Sequence, residues 1–191
     1  MLKAFVPYLS AKLLPEVYAR RLTLREGVRQ LLESIPQARY PELINYTQDN
    51  PIRPGLPELL DFLEQQGVPF VVISGGLREI VERVLSRNGL IERVESISAM
   101  EVDTSGDYLR VHSEFEGDTE LVSKVREMAK YPATEQIAIG DSLTDINMAL
   151  KADVVFARDR LIEYLEAENK PYIRWNDFFD VRHALAERIQ N

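Results

Sequence analysis

Cysteine is absent from the 191 residues, and histidine and tryptophan are scarce, with two copies and one copy. Without cysteine the chain can hold no disulfide, no thiol nucleophile and no cysteine metal site. Only His112 and His183 could supply an imidazole. Catalysis by a thiol and metal binding by a cysteine cluster are therefore excluded.

Basic residues and long apolar runs are also in short supply. Lys and Arg number 23 against 31 Asp and Glu, a formal charge of −8. This balance argues against a nucleic-acid partner, because binding a phosphate backbone needs a dense basic surface. No apolar stretch reaches membrane-spanning length, and no secretory signal is recognisable. We therefore expect a soluble cytoplasmic protein with no membrane partner, whose 45% hydrophobic content suffices for one α/β domain and a small accessory element.

The most informative stretch is an acidic turn between an apolar run and a helix. The run Ile137–Ile139 leads into the string G-D-S-L-T-D, which covers Gly140–Asp145, and apolar residues then recur at helical spacing. This pattern predicts a strand, a tight turn and a helix, with Ser142 or Thr144 as the N-cap. Gly140 would relieve the backbone where the strand ends.

Two carboxylates follow from this turn. Asp141 and Asp145 would lie about one helical turn apart at the carboxyl edge of the sheet, an arrangement that suits a hard divalent cation. Mg²⁺ takes one or two protein carboxylates, keeps several waters and fills its remaining positions with phosphate oxygens. The alternative is an ordinary capped turn with solvated acids. The complete string, followed by a second apolar run at Val154–Ala157, favours the metal site.

A second loop has the composition of an anion site. The run Val68–Ile73 is apolar throughout, as in a strand buried on both faces, and is followed by Ser74, Gly75 and Gly76 before a predicted helix. A hydroxyl and two unencumbered N–H groups at a strand end can cradle an anion, whereas S-G-G alone is more often a plain turn. Arg78 is either a further contact to phosphate or an exposed helix arginine.

Four short sequence motifs, which occur in the expected order along the chain, resemble those of the haloacid dehalogenase-like phosphatases. Within that family the similarity is greatest to the branch that acts on phosphoserine or on the enol-phosphate of methionine salvage. The motifs are IRPG (Ile52–Gly55), PFVVISGG (Pro69–Gly76), IGDSLTD (Ile139–Asp145) and VFARDRLIEYLEAENKPY (Val155–Tyr172). The similarity covers most of the chain from Leu22 onward. It implies a parallel, Rossmannoid α/β sheet with helices on both faces, a helical cap over residues 1–50 and a core over 51–191. The linker between them would begin at Asn50.

The resemblance also implies a Mg²⁺-dependent hydrolase of small phosphate monoesters and assigns roles to individual residues. Asp141 would hold Mg²⁺, with Asp145 as a second ligand or a water-mediated partner. Lys124, in a helix predicted over 120–129, would balance the charge of the phosphate, and a surface residue is the alternative. The residues expected to bind the phosphate are Ser74, Gly75 and Gly76.

One part of the family's pattern is missing. These enzymes open with an apolar strand ending in D-x-D-G-T, whose first aspartate is the nucleophile, and no such string occurs in this sequence. The superficially similar D-T-S-G-D at 103–107 lies in a predicted hairpin. Two hypotheses remain. The first is a phosphatase whose given sequence begins at an internal methionine, preferring the methionine-salvage ester over phosphoserine. The second is a non-catalytic relative that binds phosphate or a protein.

The absent strand has a consequence for the expected sheet. In the family it lies at the centre, between the strands predicted over 68–73 and 137–139. Unpaired backbone groups inside a core would each cost about 1–3 kcal/mol. If the chain folds alone, we therefore expect these two strands to pair directly.

The remaining sequence predicts elements on either side of these motifs. Helical spacing of apolar residues indicates helices throughout residues 1–50, with a capping box at Thr23. A strand is predicted over 94–99 and a hairpin over 101–112. The aromatic residues expected in the core are Trp175, Phe178 and Phe179.

Overall fold

The computed structural model describes residues 1–47 and 51–190, which divide into two compact units. The first unit comprises Met1–Pro51, Val72–Ile91 and Ile97–Ser123. The second comprises Ile52–Val71, Glu92–Ser96 and Lys124–Asn191. The predicted division into a cap over 1–50 and a core over 51–191 remains a prediction, and its linker residue Asn50 lies outside the described residues.

The first unit begins with four helices, as the spacing of apolar residues predicts. They are α1 (Leu2–Phe5), α2 (Pro7–Tyr18), α3 (Leu24–Leu32) and α4 (Tyr40–Asn45). The predicted capping box is present at α3: the Thr23 hydroxyl accepts from the Glu26 N–H at 3.1 Å, and the Glu26 carboxylate accepts from the Thr23 N–H at 3.3 Å. No strand occurs in the described part of residues 1–50, so the prediction of a helical start is confirmed there.

Later in the chain come the three strands of the first sheet, β1 (Val71–Leu77), β2 (Ser96–Asp103) and β3 (Arg110–His112), in the order β1-β2-β3. Helix α6 (Arg78–Arg87) follows β1, and α5 (Leu56–Gln65) precedes it. Strands β2 and β3 form the predicted antiparallel hairpin, with Val102 opposite Val111. The strand predicted over 94–99 is present from Ser96, but it is not separate from the hairpin, because it continues into the first arm up to Asp103.

The second unit holds a parallel sheet of β4 (Ile137–Gly140), β5 (Val154–Ala157) and β6 (Ile173–Arg174). Helices α7 (Lys124–Met128), α8 (Ile146–Lys151), α9 (Asp159–Ala167) and α10 (Phe178–Gln190) alternate with these strands. All four residues of the central strand β5 are buried, as expected when helices cover both faces. Because the strands are parallel, the acidic turn after β4 and the loop after β5 begin at the same sheet edge.

Strands β1 and β4 belong to different sheets. The predicted direct pairing of residues 68–73 with 137–139 is therefore wrong. Among the described strands, β1 pairs with β2 and β4 pairs with β5, so each strand satisfies one row of its backbone groups within its own sheet. No helix in the described part of the chain is long and apolar enough to cross a membrane.

Each unit has its own apolar cluster. In the first, Leu32, Ile35 and Leu43 pack with Leu77 of β1 and Leu109. In the second, the cluster consists of α5, sheet and α10 residues, namely Leu59, Leu63, Val154, Phe156, Trp175, Val181 and Leu185. Trp175 is 5% exposed and Phe178 packs against this cluster, as predicted. Phe179 is 43% exposed, so its predicted core position is wrong.

Candidate functional site

The acidic turn of the second unit is closed by the carboxylate of Asp145. One oxygen, Oδ2, accepts hydrogen bonds from the backbone N–H groups of Asp141 and Ser142, both at 2.9 Å, and from the Ser142 hydroxyl at 3.1 Å. Ser142 is the N-cap of a 3₁₀ turn over Leu143–Asp145 that leads into α8. The N-cap of α8 itself is Asp145, so the prediction of Ser142 or Thr144 at that position is wrong. These bonds pair backbone donors that would otherwise be orphaned at the start of the helix.

Gly140 is required here for space. A Cβ atom at this position would lie 2.7 Å from Cβ and 2.8 Å from Cγ of Asp145, closer than such atoms can approach. Its backbone does not adopt the positive φ found at Gly55, Gly67 and Gly89. The predicted backbone relief at the strand end is therefore wrong, and the glycine lets Asp145 pack against the end of β4.

Lys124 is the first residue of α7 and its side chain is buried, with Nζ 2.5 Å from Oδ1 of Asp145. The helix predicted over 120–129 begins at Lys124 instead, because Leu121 and Val122 pack into the core of the first unit and the Ser123 N–H bonds the Phe115 carbonyl. Lys124 is thus not a surface residue. Its ammonium is directed at the acidic turn.

The two aspartates of the turn have opposite electrostatic environments. Burial raises the pKa of Asp145, but the Lys124 charge and the hydrogen bonds from Lys124, Asp141 and Ser142 outweigh it and lower the pKa overall. Asp141 is half-buried, and its pKa is raised, first by desolvation and then by the charges of Asp145 and Asp159. A neighbouring cation would therefore stabilise ionised Asp141, whereas Asp145 already has one.

This donor set can hold Mg²⁺ through one direct carboxylate. Both oxygens of Asp145 are engaged by Lys124 and by the turn, so a direct bond from Asp145 to a metal would compete with these hydrogen bonds. Asp141 carries the remaining carboxylate. Within residues 1–47 and 51–190 there is no group of three or more His, Cys, Asp or Glu side chains that could hold a metal ion by themselves.

Two arginines that sequence reasoning did not single out lie beside Asp141. The guanidinium groups of Arg53 and Arg158 are each 5.4 Å from the ring centre of Trp175. Both also donate to the carbonyl of Asn176, at 3.2 and 2.5 Å. They oppose the rise in the pKa of Asp141. The arginines occur in the strings IRPG and VFARD that carry the family resemblance, which is the only signal for them in the sequence.

Trp175 connects this pair to the acidic turn. Its indole N–H donates to the carbonyl of Gly140 at 3.2 Å, and the backbone N–H of Arg158 reaches the same carbonyl at 3.3 Å. The Leu161 N–H bonds the carbonyl of Asp141 at 3.2 Å. The backbone on both sides of the Gly140–Asp141 peptide is therefore held by the loop after β5 and by Trp175.

The predicted phosphate loop belongs to the first unit. Ser74, Gly75 and Gly76 lie inside β1, so the expectation that the strand ends before them is wrong. The Gly76 N–H donates to the Ser74 hydroxyl at 3.0 Å, and all three residues are partly exposed. Arg78 pairs with Glu101 at 3.3 Å and with Glu82 at 3.6 Å. Phosphate binding by Ser74, Gly75 and Gly76 remains a prediction.

Known proteins resemble this chain in sequence and in fold. The haloacid dehalogenase-like hydrolase family matches residues 3–150. A 2-hydroxy-3-keto-5-methylthiopentenyl-1-phosphate phosphatase from Microcystis aeruginosa is 56% identical over 188 residues, covering 98% of this chain and 90% of that protein. A phosphoserine phosphohydrolase-like protein from Francisella tularensis has a TM-score of 0.68 at 20% identity, over 96% of this chain and 88% of its own. Phosphoserine phosphatase from T. onnurineus has a TM-score of 0.66 at 15% identity, over 92% and 79%.

Proposed function

Because the chain belongs to the haloacid dehalogenase-like hydrolase family, we propose that it is a Mg²⁺-dependent hydrolase of small phosphate monoesters. The observation that supports this best is the arrangement around the acidic turn, in which a buried lysine and a half-buried aspartate lie on either side of Asp145. A surface turn of solvated acids would need no buried cation. Neither a nucleic acid nor a membrane is part of the proposal.

The residues of the second unit take distinct roles in this proposal. Asp141 binds the cation, and Asp145 orients the Asp141 backbone and the Lys124 ammonium through the hydrogen bonds described above. Lys124 neutralises charge that develops on the phosphate. Bound Mg²⁺ would polarise the phosphoryl oxygens and offset their charge. Ser74, Gly75 and Gly76 are assigned to phosphate on the family resemblance. The attacking aspartate of the family's D-x-D-G-T string has no counterpart in these 191 residues.

For the substrate, we propose 2-hydroxy-3-keto-5-methylthiopentenyl-1-phosphate. The support is the name of the Microcystis relative, which is 56% identical over almost the whole chain. Phosphoserine is the alternative, since it is named in proteins of similar fold, but their identity of 15–20% speaks for the fold and not for the substrate.

The test is phosphate release by the protein expressed from the complete open reading frame that encodes this chain. We expect release from the methionine-salvage ester to exceed release from phosphoserine and to stop on addition of EDTA. Asp141→Asn and Lys124→Ala are each expected to lower the rate at least 100-fold, in the range seen when a charge-stabilising group is removed. Glu163→Gln, the same loss of charge at an exposed helix position, is the matched control.

Two results would contradict the proposal. Turnover that persists in EDTA would contradict the proposed metal site. The same would follow if Asp141→Asn and Glu163→Gln lowered the rate equally. Inactivity on a broad panel of phosphate esters, with phosphate binding retained, would favour the non-catalytic binding protein instead.

A further inference from the structure

We propose that Arg53 and Arg158 form a phosphate-binding subsite beside Asp141, held in place by Trp175 and Asn176. The inference rests on the proposed function and extends it, because it assigns the reacting phosphate to two residues outside the acidic turn and the Ser74 loop. Its ligand is a phosphate group, either that of an ester or the free ion.

The two guanidinium groups are brought together by shared partners. Both donate to the single carbonyl oxygen of Asn176, and both lie 5.4 Å from the centre of the Trp175 ring. Two like charges that converge on one acceptor repel each other, and a phosphate bound between them would offset that repulsion. Arg158 has a carboxylate partner in Asp159, with Nε 2.9 Å from Oδ2. A guanidinium also presents a planar fork of N–H donors that matches the oxygens of a phosphate.

The loop that carries Arg158 has an unusual backbone conformation. Asp159, next to Arg158, has a φ of +48°, a left-handed conformation that is costly for a residue other than glycine. The loop is nevertheless tied to the acidic turn through the Arg158 and Leu161 N–H groups. These bonds hold the Arg158 backbone next to Asp141.

The charges around Asp141 leave room for a metal and a phosphate together, but not for either one alone, without a net charge at the site. Three cationic and three anionic side chains interact here, namely Lys124, Arg53, Arg158, Asp141, Asp145 and Asp159. Their formal charges cancel. Adding Mg²⁺ leaves the site at +2, and a phosphate dianion restores neutrality. The chain as a whole carries −8 and repels anions, so a phosphate needs a local group of cations such as this one.

The position of Trp175 supplies a direct probe. It is the only tryptophan in the chain, and both guanidinium groups lie close to its ring. Its indole N–H donates to the carbonyl of Gly140, the residue before Asp141. Titration of the full chain with inorganic phosphate in the presence of Mg²⁺ is therefore expected to change its fluorescence. Isothermal calorimetry under the same conditions measures binding independently of the optical signal. A parallel titration with phosphoserine distinguishes an ester phosphate from the free ion.

Charge removal at the pair gives the decisive comparison. Arg53→Gln and Arg158→Gln are each expected to raise the Kd for phosphate about tenfold, the effect of losing one charge-assisted hydrogen bond. Arg93→Gln is the matched control in the same unit, since its guanidinium is engaged by Asp61 and Glu64. Thermal unfolding checks that each variant is folded. If a glutamine variant is not folded, Arg53→Lys or Arg158→Lys replaces it. The lysine keeps the positive charge but loses the planar set of guanidinium N–H donors.

Each outcome decides the matter. Equal phosphate affinity in wild type, the Arg53 and Arg158 variants and the Arg93 variant would overturn the subsite. If Asp141→Asn abolishes Mg²⁺ binding while the arginine variants leave phosphate affinity unchanged, the metal assignment stands and only the subsite fails. If Mg²⁺ binding does not depend on Asp141, the proposed function fails at its metal, whatever the arginines do.

Discussion

Lys124 and Asp145 form an ion pair whose side chains are only 6% and 7% exposed. Burying two charges is costly, and their attraction offsets that cost only when the remaining donors and acceptors are satisfied. Asp145 meets this condition, because its second oxygen accepts from two backbone N–H groups and a hydroxyl. The pair therefore keeps an ammonium at the acidic turn at a depth where a lone lysine would be unstable.

We expect the stability losses of the two single variants of this pair to add up to more than the loss of the double variant. Lys124→Met leaves the Asp145 carboxylate buried without its cation and is expected to cost about 3–5 kcal/mol of stability. The double variant Lys124→Met/Asp145→Asn has no such charge and should lose less than the sum of the two single variants. Urea denaturation of all four proteins measures the coupling. Additive losses would show that the two charges do not depend on each other.

Asp141 is expected to lower the stability of the metal-free protein. Its pKa in the folded protein lies above the ordinary value of 3.8, so the folded state binds the proton more tightly than the unfolded chain. Stability is then lost as the pH rises through the folded pKa. Asp141→Asn should raise the melting temperature at pH 7 by about 1–2 °C in EDTA, with a gain that shrinks as the pH falls toward 4.

Thermal unfolding monitored by circular dichroism checks this, with Glu163→Gln as the exposed control. A melting temperature that falls at pH 7, or a gain independent of pH, would contradict the electrostatic account. Excess Mg²⁺ should reverse the order, since only the wild type can then be stabilised by the cation.

At the scale of the elements, local sequence patterns located the helices and strands better than their ends. The Thr23 capping box and the apolar spacing identified α3, and the apolar run before G-D-S identified β4. The end of β1 was missed, because Ser74–Gly76 carry no side-chain pattern typical of a strand. The start of α7 was missed because Leu121 and Val122 have helical spacing, yet they pack in the other unit's core.

Gly140 is where strand, turn and helix constrain one another, and its substitution tests that junction. Gly140→Ala would place a methyl group 2.7 Å from the Asp145 Cβ and is expected to cost about 1–3 kcal/mol, the usual effect of overpacking. Gly106→Ala is the control, since its nearest neighbour would be 3.7 Å away and its φ is not positive. Chemical denaturation compares the two. Equal stability of both variants would show that the turn has room to move.

At the scale of the whole molecule, the described residues include an apolar cluster in each unit. Leu43 is fully buried in the cluster of the first unit and Leu59 in that of the second, each with no exposed surface. The two units are interleaved in sequence, because residues 52–71 and 92–96 belong to the second. Each unit is therefore made of several separate segments of the chain, and no single cut in the sequence separates the two clusters.

The same substitution in each cluster should affect different parts of the chain. Leu43→Ala and Leu59→Ala are each expected to cost about 2–5 kcal/mol, since both remove a fully buried side chain. Amide hydrogen exchange should increase most in the unit that carries the change. Matching exchange profiles for the two variants would mean that the clusters open together.

The sequence by itself determined the family, the α/β class, the acidic turn and the helical start, because each depends on local spacing or on a short contiguous string. Only the tertiary structure decided which carboxylate oxygens of the acidic turn accept hydrogen bonds, and from which donors. It showed that Lys124 is buried against Asp145, that Gly140 is small to admit Asp145, and that Arg53 and Arg158 meet at Trp175. Arg53 and Trp175 are separated by more than a hundred positions in the chain. No local pattern reports such a contact, because it forms only when the segment before α5 meets the loops that follow β5 and β6.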